Sequence, residues 1–482
     1  MSLSTAVRDV PSVTERRHTR QRTSMTVATA VIIVATVGLT LLLDHRRTTW
    51  LPLALLVAAC ALAPALATGP RRPPAGVPRG AAGRLRELLL QMAPVILLSA
   101  AFPVATQRML TSQVGDAPLT VLLLASSLTV PWLSQIVCMP LFNGLWELTG
   151  KGDPRGLAGR VLDTWPAGFA AALPVVALFA VPMGVVMRWG AVALLCYLAL
   201  ATLHLTFAQA LVFAIANRDG TAWAVGWAAY AATLVAAPTA WYAPPLVGIA
   251  TQIGYLWHAA GRGPRPTRVA GLGAILAKGA LLGSLLWCDK YLYFLRWHRD
   301  FDAGLVFAAM IPAIVAYNYY FIVHAPRVDT LVGRVRHAME HEPLDVLRAH
   351  SDALTSHIES SAAKAAFLAA LLGFGAVLYL GLRQPATAAL VGAMVVASWC
   401  FVMASLLCYK LTYIGRPAVA YRCGALHLCL VAVAFAVGPT PAAVYTAISV
   451  ADLALVGYLV RACLGEWRAP EYALFWRHAT RW

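Results

Sequence analysis

Apolar runs of roughly 20 residues, each ended by a short basic or Pro/Gly-rich loop, recur from residue 25 to residue 463. A helix rises 1.5 Å per residue, so about 20 residues carry it across the hydrocarbon layer. That layer holds no water to satisfy backbone N–H and C=O groups, and a run of this length meets the requirement within itself only as a helix. The chain has 482 residues, 60% hydrophobic and 12% charged, with a mean hydropathy of +0.69. No soluble core needs that much apolar sequence. The sequence predicts an all-α polytopic membrane protein.

Fourteen spans are expected. Two of them, 25–43 and 50–68, follow a polar basic tail at 1–24 that reads as disordered and cytoplasmic. A Pro/Arg-rich linker at 69–88 separates them from twelve more. The loop at 259–268 divides the twelve into a six-helix lobe at 89–258 and a second at 269–463, and 464–482 forms a C-terminal tail. With the N-terminus in the cytoplasm, 29 of the 38 Lys and Arg residues fall on the cytoplasmic side and 8 on the other, with Lys278 in mid-span. That bias follows the positive-inside rule and places both termini in the cytoplasm. A missed helix would invert every later loop.

The net charge of +17 sits in alternating loops, with no nucleic-acid-binding motif. The nine cysteines never form a CxxC and lie mostly in apolar runs, where they read as small buried hydrophobes. Walker A, DxD, GxSxG and HExxH signatures are absent, so the sequence points to no enzyme and no cofactor. His337 and His341 stand at i and i+4, a spacing that can hold a metal, but on an exposed basic helix they read as a solvated face. His204 and His427, inside spans, read as hydrogen-bonded core histidines.

The longest polar segment, 325–361, is not a plain linker. Val328, Leu331, Val332, Val335 and Met339 recur at helical spacing before Pro343 interrupts. This is an amphipathic cytoplasmic arm, whose apolar stripe is expected either to dock a partner, through Leu331 and Val335, or to lie on anionic lipid.

Ionisable residues within the spans are few: Lys278, Asp289, Lys290 and Asp452. Polar side chains such as Tyr317 and Asn318 accompany them, and many spans carry proline, which frees carbonyls that only protein or a wet cavity can satisfy. Bent helices and polar groups without large soluble domains fit a transporter. Lys278 and Asp289, eleven positions apart, share one helix face. Asp452 is the expected partner of Lys278, which leaves Asp289 for substrate, with Tyr293 stacking beside it and Arg296 aligned below. The alternative makes Asp289 and Lys290 interface anchors paired with each other.

The stretch "WCDKY" at 287–291 and the following "HRDFDAGLVFAAMIPAIVAYNYYFIV" carry a resemblance. So do "AGRLRELL" at 82–89 and "LTVPWLSQIVCMPLFNGLWELTGKGD" upstream. Over about residues 80–464 the chain resembles the PelG-type exopolysaccharide exporters, distant relatives of the polysaccharide flippases in the multidrug/oligosaccharidyl-lipid/polysaccharide superfamily. The two N-terminal spans are additional to that family's twelve. The resemblance implies a bacterial plasma-membrane exporter of a polysaccharide or its lipid-linked precursor, served by a cytoplasmic glycosyltransferase. Its rivals are a lipid-linked oligosaccharide flippase or drug exporter, a membrane-embedded glycan polymerase, and a non-transporting synthase scaffold. The expected substrate path runs over Lys278, Asp289, Lys290, Tyr293, Arg296, Tyr317, Asn318 and Asp452.

Overall fold

The computed structural model describes residues 81–149, 172–216, 219–257 and 271–479. The tail at 1–24, the spans at 25–43 and 50–68, most of the 69–88 linker and the 259–268 loop lie outside the described residues. The described chain is helical apart from one two-residue ladder. The first lobe comprises α1 (Ala81–Gln91), α2 (Ala93–Met109), α3 (Leu119–Thr149), α4 (Ala172–Met187), α5 (Ala191–Ala216), α6 (Gly220–Ala236) and α7 (Ala243–Trp257). The second comprises α8 (Leu272–Trp297), α9 (Ala303–Tyr319), α10 (Ala325–His341), α11 (Leu344–Arg383), α12 (Ala388–Tyr413), α13 (Pro417–Val437), α14 (Pro441–Trp467) and α15 (Pro470–Ala479). Among the described residues eight helices are long and apolar enough to cross a membrane.

Local chemistry sets the helix starts. α13, α14 and α15 open on proline, whose missing N–H and fixed φ suit the first turn. Asp302 caps α9 by accepting from the Leu305 N–H at 3.0 Å, and Asp219 caps α6 through the Thr221 and Ala222 N–H groups. Between α2 and α3, β1 (Gln113–Val114) pairs antiparallel with β2 (Ala117–Pro118). The turn is possible because Gly115 takes a φ of +62°. Asp116 then accepts from the Gly190 N–H at 2.7 Å and ties this hairpin to the start of α5.

The broadest packing between lobes joins α3 to α8. Gly279 and Gly283, four residues apart on α8, let the backbones close: a Cβ on Gly279 would stand 2.5 Å from the Gln135 carbonyl, and one on Gly283 2.8 Å from Trp132. Small residues at this spacing are how helices approach without a hydrophobic driving force between them. The Trp132 indole N–H donates to the Ala280 carbonyl at 2.9 Å, and the Tyr291 hydroxyl to the Phe179 carbonyl at 3.1 Å. Trp132, Phe179 and Tyr291 meet edge to face, with centroids 5.1–5.9 Å apart.

Three boundaries differ from the sequence expectation. The second half of the arm, from Leu344, and the ninth of the twelve spans are one 40-residue helix, α11. No Pro or Gly stands between Leu344 and Leu372 to end it, so a change from polar to apolar surface occurs without a break in the backbone. The eighth span likewise runs into the arm through a π segment, Tyr320–His324. Pro326 explains it: proline cannot donate to the carbonyl four residues back and crowds it, and a π turn accommodates both. The expected tail is structured as well, since α14 reaches Trp467 and α15 packs on α10 and α11 through the buried Leu474.

The arm itself is corrected. Leu331 and Val335, expected to dock a partner, are 8% and 0% exposed. Their stripe packs against Leu354 and Ile358 of α11, Leu411 of α12 and Leu474 of α15. The apolar face that looked unpartnered in the sequence is covered by the chain's own second lobe.

Candidate functional site

The second lobe concentrates charge on three neighbouring helices. On α8, Lys290 Nζ lies 2.8 Å from Asp289 Oδ2, and both residues are 3% exposed. The pair stands about 10–12 Å inside the Trp297 end of a straight helix. The two side chains do pair, as anchors would, but both are enclosed by protein. Lys290 Nζ rests 5.7 Å from the centre of the Phe401 ring on α12. Asp289 Oδ1 and the buried Tyr445 hydroxyl of α14 face each other, close enough to interact but short of good hydrogen-bond geometry.

A second buried pair lies next to the first. His427 Nδ1 of α13 is 2.7 Å from Asp452 Oδ1 of α14, while His427 Nε2 is buried without a partner. Cys288, one residue before Asp289, is close enough to feel both Asp289 and Asp452. α8 and α13 run side by side because Gly424 has no Cβ to meet the Leu281 carbonyl, and the Ser284 hydroxyl donates to the Gly424 carbonyl at 3.2 Å. One lobe thus gathers two carboxylates, an ammonium, an imidazole and a phenol, with His427 Nε2 left without a partner. Such a group can exchange a proton, hold a cation or present hydrogen bonds to a ligand.

The other expected path residues are dispersed. Lys278 is exposed and lies 5.5 Å from the Tyr421 ring centre, near the opposite end of α8. It does not meet Asp452. Ten residues of α8 separate Lys278 from Cys288, about 15 Å of rise, and His427 already occupies the carboxylate. Tyr293 is not free to stack on a sugar. It is 2% exposed and packed among Trp297, Phe301 and Tyr445 at centroid distances of 4.9–6.0 Å. Arg296 is exposed, its guanidinium 4.6 Å from the Trp297 ring centre. Tyr317, half-buried, packs on Phe321 and Phe401. Asn318 Nδ2 donates to the Ile314 carbonyl at 2.9 Å and reaches Met92 Sδ of the first lobe at 3.4 Å.

Sequence reading passed over several residues. His427 was taken as satisfied core, yet only one nitrogen is bonded. Lys410 stands just beyond an apolar run. It is 1% exposed, donates to the Ile358 carbonyl at 2.7 Å and the Ser361 hydroxyl at 3.1 Å, and lies 5.1 Å from the Tyr320 ring centre. Its position one residue past an apolar run was the available signal. The Gly279–Gly283 spacing was legible but unremarked.

No family model matches the chain, and no curated protein matches it. Solved structures do superpose at low similarity. An inward-facing multidrug resistance MATE family transporter of the MOP superfamily aligns over 80% of this chain and 98% of its own, with 6% identity and a TM-score of 0.38. A MATE transporter in complex with MaD5 aligns over 81% and 96%, with 9% identity and a TM-score of 0.45. A MATE transporter in the straight conformation aligns over 81% and 96%, with 10% identity and a TM-score of 0.42.

Proposed function

We propose that the protein is a bacterial plasma-membrane exporter, both termini cytoplasmic, that moves an exopolysaccharide or its lipid-linked precursor outward as its two lobes rock against each other. The observation that carries the transport reading is the buried Asp289–Lys290 pair lying beside the buried His427–Asp452 pair. Ionisable groups inside apolar spans are costly, and in membrane proteins they mark substrate or ion paths. The polymer substrate rests on the resemblance of residues 287–302 and their flanks to PelG-type exporters. In this reading the protein carries out no covalent chemistry of its own. A cytoplasmic glycosyltransferase supplies the polymer, and it meets the polar outer face of α10, where Arg334 and Arg336 are exposed.

The test is secretion from a strain lacking the gene. The wild-type chain is expected to restore polymer to the medium, and the Asp289→Asn variant, at equal membrane level, is expected not to. A wild-type chain that changes drug susceptibility while leaving polymer unaltered would replace this reading with a drug exporter.

A further inference from the structure

A groove of about 770 Å³ opens on the flank of the molecule, walled by Leu88 of α1, Val315 and Tyr319 of α9, and Lys364, Phe367 and Leu368 of α11. Its volume lies within the range of small-ligand and cofactor sites, about 300–1,000 Å³. The walls are apolar except for Lys364 and Tyr319. They continue onto the outward face of α11, where Phe367 is 69% exposed and Phe374 64%, the face a bilayer would cover.

The groove has a basic end. The ring of His324 stands edge-on to Tyr319, with centroids 5.3 Å apart, and 5.5 Å from the ring of His357. His324 is 6% exposed and its Nε2 has no partner. The permanent charges that bear on it come from Lys364, Lys410 and Arg327, all of one sign. A lysine in the wall of an apolar groove, with two further cations, Lys410 and Arg327, near the imidazole behind Tyr319, matches a phosphate attached to hydrocarbon.

We propose that this groove seats one anionic membrane phospholipid, with its chains along Val315, Phe367 and Leu368 and its phosphate held by Lys364. A glycan-bearing lipid fits less well, because the walls offer sugars almost no hydrogen-bonding groups. Leu88 belongs to the first lobe and the remaining walls to the second, so the lipid touches both moving parts. This seat does not depend on what the protein exports.

The test uses the full-length chain in detergent after lipid stripping, re-exposed to vesicles of phosphatidylcholine with or without phosphatidylglycerol, or to inorganic phosphate alone. Native mass spectrometry is expected to show one retained phosphatidylglycerol and thermal unfolding to show a higher Tm with that lipid but not with phosphate. Lys364→Ala should weaken retention about five-fold, the worth of one cation at a lipid headgroup. Lys364→Arg should keep it, and Leu368→Trp, which fills the groove, should abolish it. Equal retention by wild type, Lys364→Ala and Leu368→Trp overturns the proposal. So does protection by phosphate alone, or a glycan-carrier lipid held in place of the phospholipid.

Discussion

In the first lobe His204 is held at both nitrogens, by the Ser126 hydroxyl at 2.8 Å and the Tyr230 hydroxyl at 2.6 Å. In the second lobe His427 is held at one, by a carboxylate at 2.7 Å, and the other is buried and empty-handed. The contrast extends to the surroundings. The first-lobe network is uncharged, with Thr129 and Tyr197 paired at 2.7 Å beside it; the buried atoms left unpartnered in that lobe are all neutral, on Gln209, Gln252, Trp223 and Trp227. The second-lobe group is charged and open. A buried polar atom without a partner costs about 1–3 kcal/mol in either lobe, but only in the second does one belong to an ionisable side chain set against buried charges, a reserve that can change its protonation. A reserve of this kind is what a passing ligand or proton would use.

Splitting the ion pair tests this contrast hardest. Lys290→Met leaves the Asp289 carboxylate buried alone, and removing one member of a buried pair costs about 3–5 kcal/mol. The double variant Asp289→Asn with Lys290→Met removes both charges and is expected to regain most of that stability in thermal unfolding. A pair that only braces the helices would regain secretion together with stability, whereas a working site regains stability only. Full secretion by the double variant would erase the difference between the lobes.

A paired histidine substitution sharpens it at smaller scale. His204→Gln cannot reproduce both hydrogen bonds and should cost about 1–3 kcal/mol of stability, with secretion tracking protein level. His427→Gln retains a donor for Asp452 but offers no basic nitrogen. It should change stability by less than about 1 kcal/mol and still abolish secretion. The opposite ranking, measured by unfolding and by polymer assay on the same preparations, would make the first lobe the working one.

The two levels of structure were unequally legible in the sequence. Helices are written in local terms, in apolar runs, and the runs that fall within the described residues are largely helical. Pairings across helices are not local. The partner of Asp452 depends on which residue of α13 faces it, and that register is set by Gly424 against the Leu281 carbonyl, a contact no spacing along the chain reveals. For the same reason Lys278, on the right face of α8, proved to be at the wrong height. The arm misled through its amphipathic stripe, which records that something covers Leu331 and Val335 without recording that the cover is the chain itself.

The smallest effect is expected on the outer face of that arm, and there the comparison turns from lobe against lobe to inside against outside. Aspartate at Leu331 or Val335 would place a charge among Leu354, Ile358 and Leu411, so loss of secretion would report a damaged fold and say nothing about a partner. Arg334 and Arg336 lie on the exposed face of α10, where substitutions usually change stability by less than about 0.5 kcal/mol. The double variant Arg334→Glu with Arg336→Glu should therefore unfold at the wild-type temperature. If a glycosyltransferase docks on this face, reversing two charges should strip it from the purified protein and reduce secretion in parallel. Unchanged unfolding together with unchanged co-purification and secretion would place any such contact elsewhere and leave α10 as a brace for the second lobe.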